Sequence, residues 1–229
     1  MTLYHFTSRD SWAGIRTSGQ LEPRSYQTSS LDGLPLLWLT DRPDGEGTGA
    51  DPQRLHVRIA VRPERGVHPW LIARFEASVE GRNLDIVGAD PDSWFVTTQV
   101  VPRARWLTAV DHETGEVLWS NEHPPTLPQV PVDWKLTDSD IKGLEDRFRA
   151  SLADLTTMDL PEEDLSKLQQ DGRFDPFTLL RNLPDRLGAL RDSRLDTTEV
   201  GRYRTWLCWR ALNEDAALLP GFHNTLPQT

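Results

Sequence analysis

The sequence predicts an α+β fold, with a β-rich region followed by a helical one. Three observations carry this expectation. Up to Val110, apolar residues recur at every second position in short runs, the period of a half-buried strand. From Thr137 onwards they recur at every third or fourth position, the period of a helix packed along one face. Between the two, Pro124, Pro125, Pro128 and Pro131 interrupt both patterns, because proline lacks the N–H that either structure uses. The expected organisation is a domain at residues 1–121, a proline-rich linker or strap at 122–134, and a helical domain or cap at 135–229.

Taken in order, Leu3-Tyr4-His5-Phe6-Thr7-Ser8 alternates and reads as the first strand. Trp12 and Ile15 then sit on a short helix that Gly19 closes, and Leu36-Leu37-Trp38-Leu39-Thr40 reads as a second strand. The segment Arg42–Pro52 carries Gly45, Gly47 and Gly49 among prolines and acids, so it is expected to be a flexible loop able to cover a site. Leu55–Val61 alternates cleanly, and Asp92–Thr97 and Trp106–Val110 read as further strands. Asp111–Glu116 has the composition of a hairpin turn leading to Val117-Leu118-Trp119, with Gly115 able to take a positive φ. Beyond the prolines, Thr137 with Asp140 resembles a cap, and Ile141, Leu144, Phe148, Leu152 and Leu155 share one helix face. Pro161 with Glu162 and Glu163 opens a second helix, and Pro176–Leu190 and Thr197–Leu218 make two more. Their apolar positions read as core.

Composition narrows the function classes. A net charge of −10 opposes passive adhesion to nucleic acid, since phosphate binding needs lysine and arginine to displace counterions. Arg54, Arg58, Arg62 and Arg65 form a local exception and read as a solvated strand face. No apolar run approaches the roughly 18 residues that span a bilayer, and no charged-apolar-small pattern marks a secretory leader, so a cytoplasmic protein with no membrane association is expected. The single Cys208 lies in an aromatic helical stretch and reads as a buried thiol, not a nucleophile. Nine tryptophans are spread along the chain and read as packing residues.

A nucleophile elbow, a phosphate-cradling loop of the Walker type, a dinucleotide fingerprint and a zinc-type Cys/His cluster are all absent. The histidines at 5, 56, 68, 112, 123 and 223 include no pair on one helical face at ligand spacing, so no metal site is expected. His5 stands apart by its neighbours. The strand Leu3–Ser8, then Trp12 and Ile15, then Ser18-Gly19-Gln20-Leu21 and Pro23, then Leu37-Trp38-Leu39-Thr40, resembles the opening of ADP-ribosyltransferase-fold proteins. The similarity is to the branch with a histidine on the first strand, which includes DNA-modifying ADP-ribosyltransferase toxins and RNA 2′-phosphotransferases.

The resemblance implies a split antiparallel sheet around a cleft that binds nicotinamide adenine dinucleotide (NAD) as a substrate. It implies that His5 hydrogen-bonds a cofactor ribose, with Tyr4 and Thr7 beside it on the first strand. A neutral imidazole offers one donor and one acceptor, which suits a ribose diol, and Thr7 falls on the same strand face as His5. Trp38 and Thr40 match positions lining the nicotinamide pocket, where a stacked ring holds the leaving group as charge builds on the ribose. The family's later-strand glutamate is matched by Gln99, on a strand read as Trp94–Pro102. Glutamine hydrogen-bonds a hydroxyl but is no base. Glu76, Glu80 and Asp92 are nearby acids that read as surface.

The expected function is transfer of ADP-ribose from NAD to a macromolecular acceptor, protein or nucleic acid, as in a toxin, phage factor or conflict system. The alternatives are a module that binds NAD or ADP-ribose without turnover and a protein-interaction module acting through the C-terminal helices. An RNA 2′-phosphate transferase would need arginines around the phosphate; Arg9 and Arg58 are candidates, but the acidic chain weighs against it.

Overall fold

The computed structural model describes residues 1–24, 35–62, 66–73, 89–124, 130, 134–157 and 182–216. They fall into two units, Met1–Leu71 with Glu80–Gln129, and Ile72–Val79 with Val130–Thr229. Ile72–Val79 thus groups with the second unit, whereas the sequence reading placed it in the first domain.

The first unit is α+β. Its strands are β1 (Leu3–Thr7), β2 (Gln20–Leu21), β3 (Leu37–Thr40), β4 (Val57–Val61), β5 (His68–Pro69), β6 (Trp94–Thr97), β7 (Val101–Pro102), β8 (Trp106–Asp111) and β9 (Val117–Ser120). Seven of them make one antiparallel sheet in the order β5-β6-β3-β1-β4-β8-β9, and β2 with β7 makes a separate ribbon. Helix α1 (Arg9–Ser18) is bounded as its ends dictate. The Ser8 hydroxyl accepts the Ser11 N–H at 3.2 Å, and Gly19, at φ 69°, donates its N–H to the Ile15 carbonyl at 2.8 Å. A short helix α2 (Trp70–Ala73) follows β5.

Register sorts the side chains into two faces, because residues paired across antiparallel strands point the same way. Leu3, His5 and Thr7 pair with Val61, Ile59 and Val57 of β4, and these continue to Trp106, Ala109 and Asp111 of β8. Leu37 and Leu39 pair with Thr97 and Phe95. This first face is the core face, and Trp12 of α1 meets Trp106 there with ring centroids 6.1 Å apart. Trp106 also meets Trp119 edge-on at 5.6 Å, so tryptophans distant in sequence gather in space. The second face carries Tyr4, Thr40 and Trp94, linked by the pairs Tyr4↔Thr40 and Thr40↔Trp94, together with Phe6, Trp38, Arg58 and Ala60.

The β8–β9 turn forms where the sequence predicts, with Gly115 at φ 74° and its N–H on the Asp111 carbonyl. Asp111 organises it: Oδ1 accepts the Glu113 and Thr114 N–H groups at 3.1 and 3.0 Å, and Oδ2 accepts Arg9 Nη2 at 2.9 Å. The Thr114 amide, followed by Arg9, draws the Asp111 carboxyl down to about 2 from an ordinary 3.8, against the opposing effect of burial. A folded-state pKa below the unfolded one stabilises above pH 3.8, and that contribution is lost as pH falls towards 2. Asp111→Asn is expected to lower the thermal midpoint at neutral pH and to flatten its fall over that acid range. Thermal denaturation across pH checks this; an unaltered acid slope would contradict it.

The second unit contains α3 (Asp138–Thr157), α4 (Leu183–Ser193) and α5 (Glu199–Ala216). The cap of α3 is reciprocal: Thr137 donates its N–H to Asp140 Oδ2 at 2.9 Å, and Asp140 N–H returns to Thr137 Oγ1 at 3.2 Å. Ile141, Leu144 and Phe148 are buried, as are Leu187 and Leu190 of α4 and Leu207 and Leu212 of α5. Cys208 is a buried free thiol, as its sequence context predicts. The helix expected at Pro161, the start expected at Pro176, and Pro125, Pro128 and Pro131 of the linker lie outside the described residues. Among the described residues no helix is long and apolar enough to cross a membrane.

Candidate functional site

His5 occupies an opening in the sheet. β1 keeps five registered pairs with β4 but only one, Tyr4↔Thr40, with β3, so the two strands part at the level of His5 and Trp38. The Trp38 carbonyl, which a closed ladder would give to a backbone amide, is taken by the imidazole: His5 Nδ1 lies 3.0 Å from it. A carbonyl only accepts, so Nδ1 carries the proton and Nε2 of the neutral ring keeps a lone pair. On the first face, Leu3, Thr7, Leu37, Leu39, Val57, Ile59 and Val61 are all buried; among these central-strand positions His5 alone retains partial exposure.

Desolvation lowers the His5 pKa below 6.5, and the positive field of Arg24 pushes the same way. The Trp38 carbonyl pulls in the opposite direction, since it accepts from the charged ring as well. The imidazole is therefore neutral at physiological pH, with Nε2 an acceptor.

The other residues singled out in the sequence are placed differently. Tyr4, Trp38 and Thr40 lie on the second face, with the sheet between their side chains and the His5 ring. Trp38 is joined to His5 by its carbonyl, while its half-buried ring packs 4.8 Å from Trp70 and 5.6 Å edge-on to Trp94. The assignment of its ring to the same pocket as His5 is corrected accordingly. Thr40 is 2% exposed, and its hydroxyl accepts the Arg42 N–H at 3.1 Å, so it holds the turn after β3. Thr7 shares the His5 face but is buried at 7% exposure. Tyr4 is half-buried beneath the Arg58 guanidinium, 5.6 Å from the ring centroid.

Gln99 is not on a strand. β6 ends at Thr97, whose hydroxyl accepts the Gln99 N–H at 3.0 Å, and β7 restarts at Val101 to pair with β2. Gln99 is exposed in the bend between them, against Gly66, where an added Cβ would lie 2.6 Å from Gln99 Nε2. The strand reading of Trp94–Pro102 is corrected by this break; the side-chain cap on Thr97 is the local cause.

The Arg42–Pro52 loop is pinned along the second face and does not reach over His5. Its Pro43 and Asp44 carbonyls accept from Arg58 and His112 at 2.6 and 3.0 Å. The Gly47 carbonyl accepts Trp94 Nε1–H at 2.9 Å, and Arg42 pairs with Asp90 at 3.0 Å. The loop thereby covers Trp94, while Gly45 packs on Phe6.

Sequence reasoning missed two features. Trp70 and Trp94 brace Trp38, a contact that pairs residues too far apart for any local pattern. Arg62, read as part of a solvated face, has its Nε and Nη1 buried; its even spacing from Arg58 was the only signal. Comparison with protein-family models, with curated proteins and with solved structures gives no match.

Proposed function

We propose that the first unit is an ADP-ribosyltransferase-like domain that takes NAD at His5 and transfers ADP-ribose to a macromolecular acceptor. One observation carries the reading: a half-exposed imidazole in an otherwise sealed face, its Nδ1 committed to the Trp38 carbonyl and its Nε2 left as an acceptor. An acceptor nitrogen fixed in this way suits a ribose hydroxyl, and a fixed ring orients it without further loss of rotamer freedom. Trp38 then acts as a positioning residue, because the packing of its ring against Trp70 and Trp94 holds the carbonyl that aims His5.

A second reading, a module that binds the dinucleotide without turnover, is favoured by Gln99. It carries no charge and sits in an exposed bend, so it supplies neither a base nor a carboxylate to a developing oxocarbenium ion. Calorimetry with NAD and chromatography of released nicotinamide, with and without cell lysate as acceptor, separate the two. Binding with release is expected for the transferase and binding without release for the module; no binding would overturn both.

A further inference from the structure

We propose that Arg62 is an oxyanion-binding residue whose ligand is a diphosphate-bearing molecule. Arg62 follows β4, and its N–H donates to the Arg105 carbonyl at 3.0 Å, which fixes the backbone from which the side chain departs. Both Nε and Nη1 are buried, and neither has a hydrogen-bond partner among the described residues. The residue as a whole keeps part of its surface in solvent, so an ion can reach it.

The other arginines of this unit differ. Arg9 meets Asp111, Arg42 meets Asp90, Arg58 meets the Pro43 carbonyl and Arg103 meets the Arg16 carbonyl. A guanidinium cannot shed its proton to escape burial, unlike a lysine. Withdrawing two of its donors from water without a partner is unfavourable, and an anion is what reverses the penalty. Arg62 is therefore the cation of this unit that gains most from a ligand.

The geometry of the guanidinium selects the ligand class. Nε and Nη1 belong to different edges of the planar group, each edge being completed by Nη2. One carboxylate docks on one edge and leaves the other buried donor unpaired. Two linked phosphoryl groups present enough oxygens, and enough negative charge, to serve both edges at once. This argument uses neither His5 nor the NAD reading.

The probe is inorganic pyrophosphate at millimolar concentration and matched ionic strength, with the thermal midpoint as readout and calorimetry for affinity. Wild-type protein is expected to rise in midpoint with pyrophosphate, as any ligand of the folded state produces. Arg62→Met is expected to show no such rise, and to melt no lower than wild type when pyrophosphate is absent. Arg62→Lys keeps the charge but not the two edges, and is expected to bind about tenfold more weakly, the scale of one lost charge-assisted hydrogen bond. An equal midpoint rise in wild type and Arg62→Lys, or none in wild type, would overturn the proposal. So would an Arg62→Met protein that melts lower or fails to fold, since the guanidinium would then be structural. With binding established, NAD, ADP-ribose and acetate as further probes identify the source of the diphosphate: a loss of NAD affinity in Arg62→Lys assigns it to the dinucleotide, and unchanged NAD affinity assigns it to another ligand.

Discussion

Trp106→Ala is expected to destabilise the first unit by about 3–5 kcal/mol, the range for truncating a fully buried large aromatic side chain. Trp106 is 0% exposed and joins three elements: Trp12 of α1 at 6.1 Å, Trp119 of β9 at 5.6 Å, and the Val101 carbonyl, which accepts its Nε1–H at 3.2 Å. The Arg103 guanidinium lies 5.7 Å from its ring as well. Alanine leaves a cavity that β8 and α1 cannot both collapse into, because each is fixed by its own backbone hydrogen bonds. Trp106→Phe keeps most of the apolar contact and loses the N–H, so it should cost about 1–3 kcal/mol, chiefly from the unpaired Val101 carbonyl. Urea denaturation followed by far-ultraviolet circular dichroism measures both. Two units need not unfold together, so the transition is fitted for more than one step. A loss below about 1 kcal/mol for Trp106→Ala would mean that this cluster does not bind α1 to the sheet.

The second large effect is at His5. His5→Ala removes both the group that occupies the Trp38 carbonyl and the acceptor at Nε2, so it is expected to abolish nicotinamide release and to lower stability. His5→Asn separates these roles, since its amide still offers an N–H towards the carbonyl but places no imidazole acceptor in the opening. It should remain folded and bind NAD at least about tenfold more weakly, the scale of one lost hydrogen bond. Retained NAD affinity in His5→Asn would sink the cofactor assignment while leaving the structural one intact.

The same residue has a pH signature. Its folded-state pKa is lowered, so the unfolded chain takes up a proton at higher pH than the folded one. The neutral ring stabilises the fold above the unfolded value of 6.5, and this contribution is lost as pH falls below it. Wild type should therefore lose stability on mild acidification, in a range above the one governed by Asp111, and His5→Asn should not show that portion of the loss.

Much of the local structure was legible in the residues themselves, because it depends on neighbours in sequence. Ser8 caps α1 and Gly19 ends it, Gly115 turns the β8–β9 hairpin, and Thr137 with Asp140 starts α3. The alternation of Leu3–Thr7 and of Val57–Val61 determined two strands and the fact that His5 and Thr7 share a face. The antiparallel α+β class follows from the same patterns. Gln99 was misplaced because its strand ends through a side-chain cap from Thr97 and the pairing of β7 with β2, and the second of these is not local.

The sequence alone determined that His5 would lie on a strand adjacent to Trp38 and Thr40. Only the tertiary structure decided that β1 and β3 part beside it, that the Trp38 carbonyl rather than its ring meets the imidazole, and that Trp70 and Trp94 brace that ring. It also decided that two donors of Arg62 are buried, although alternation had read the residue as solvated. The physical reason is common to all four: strand period and caps are set by residues within a turn of one another, whereas register, sheet opening and burial are set by which distant segments pack together.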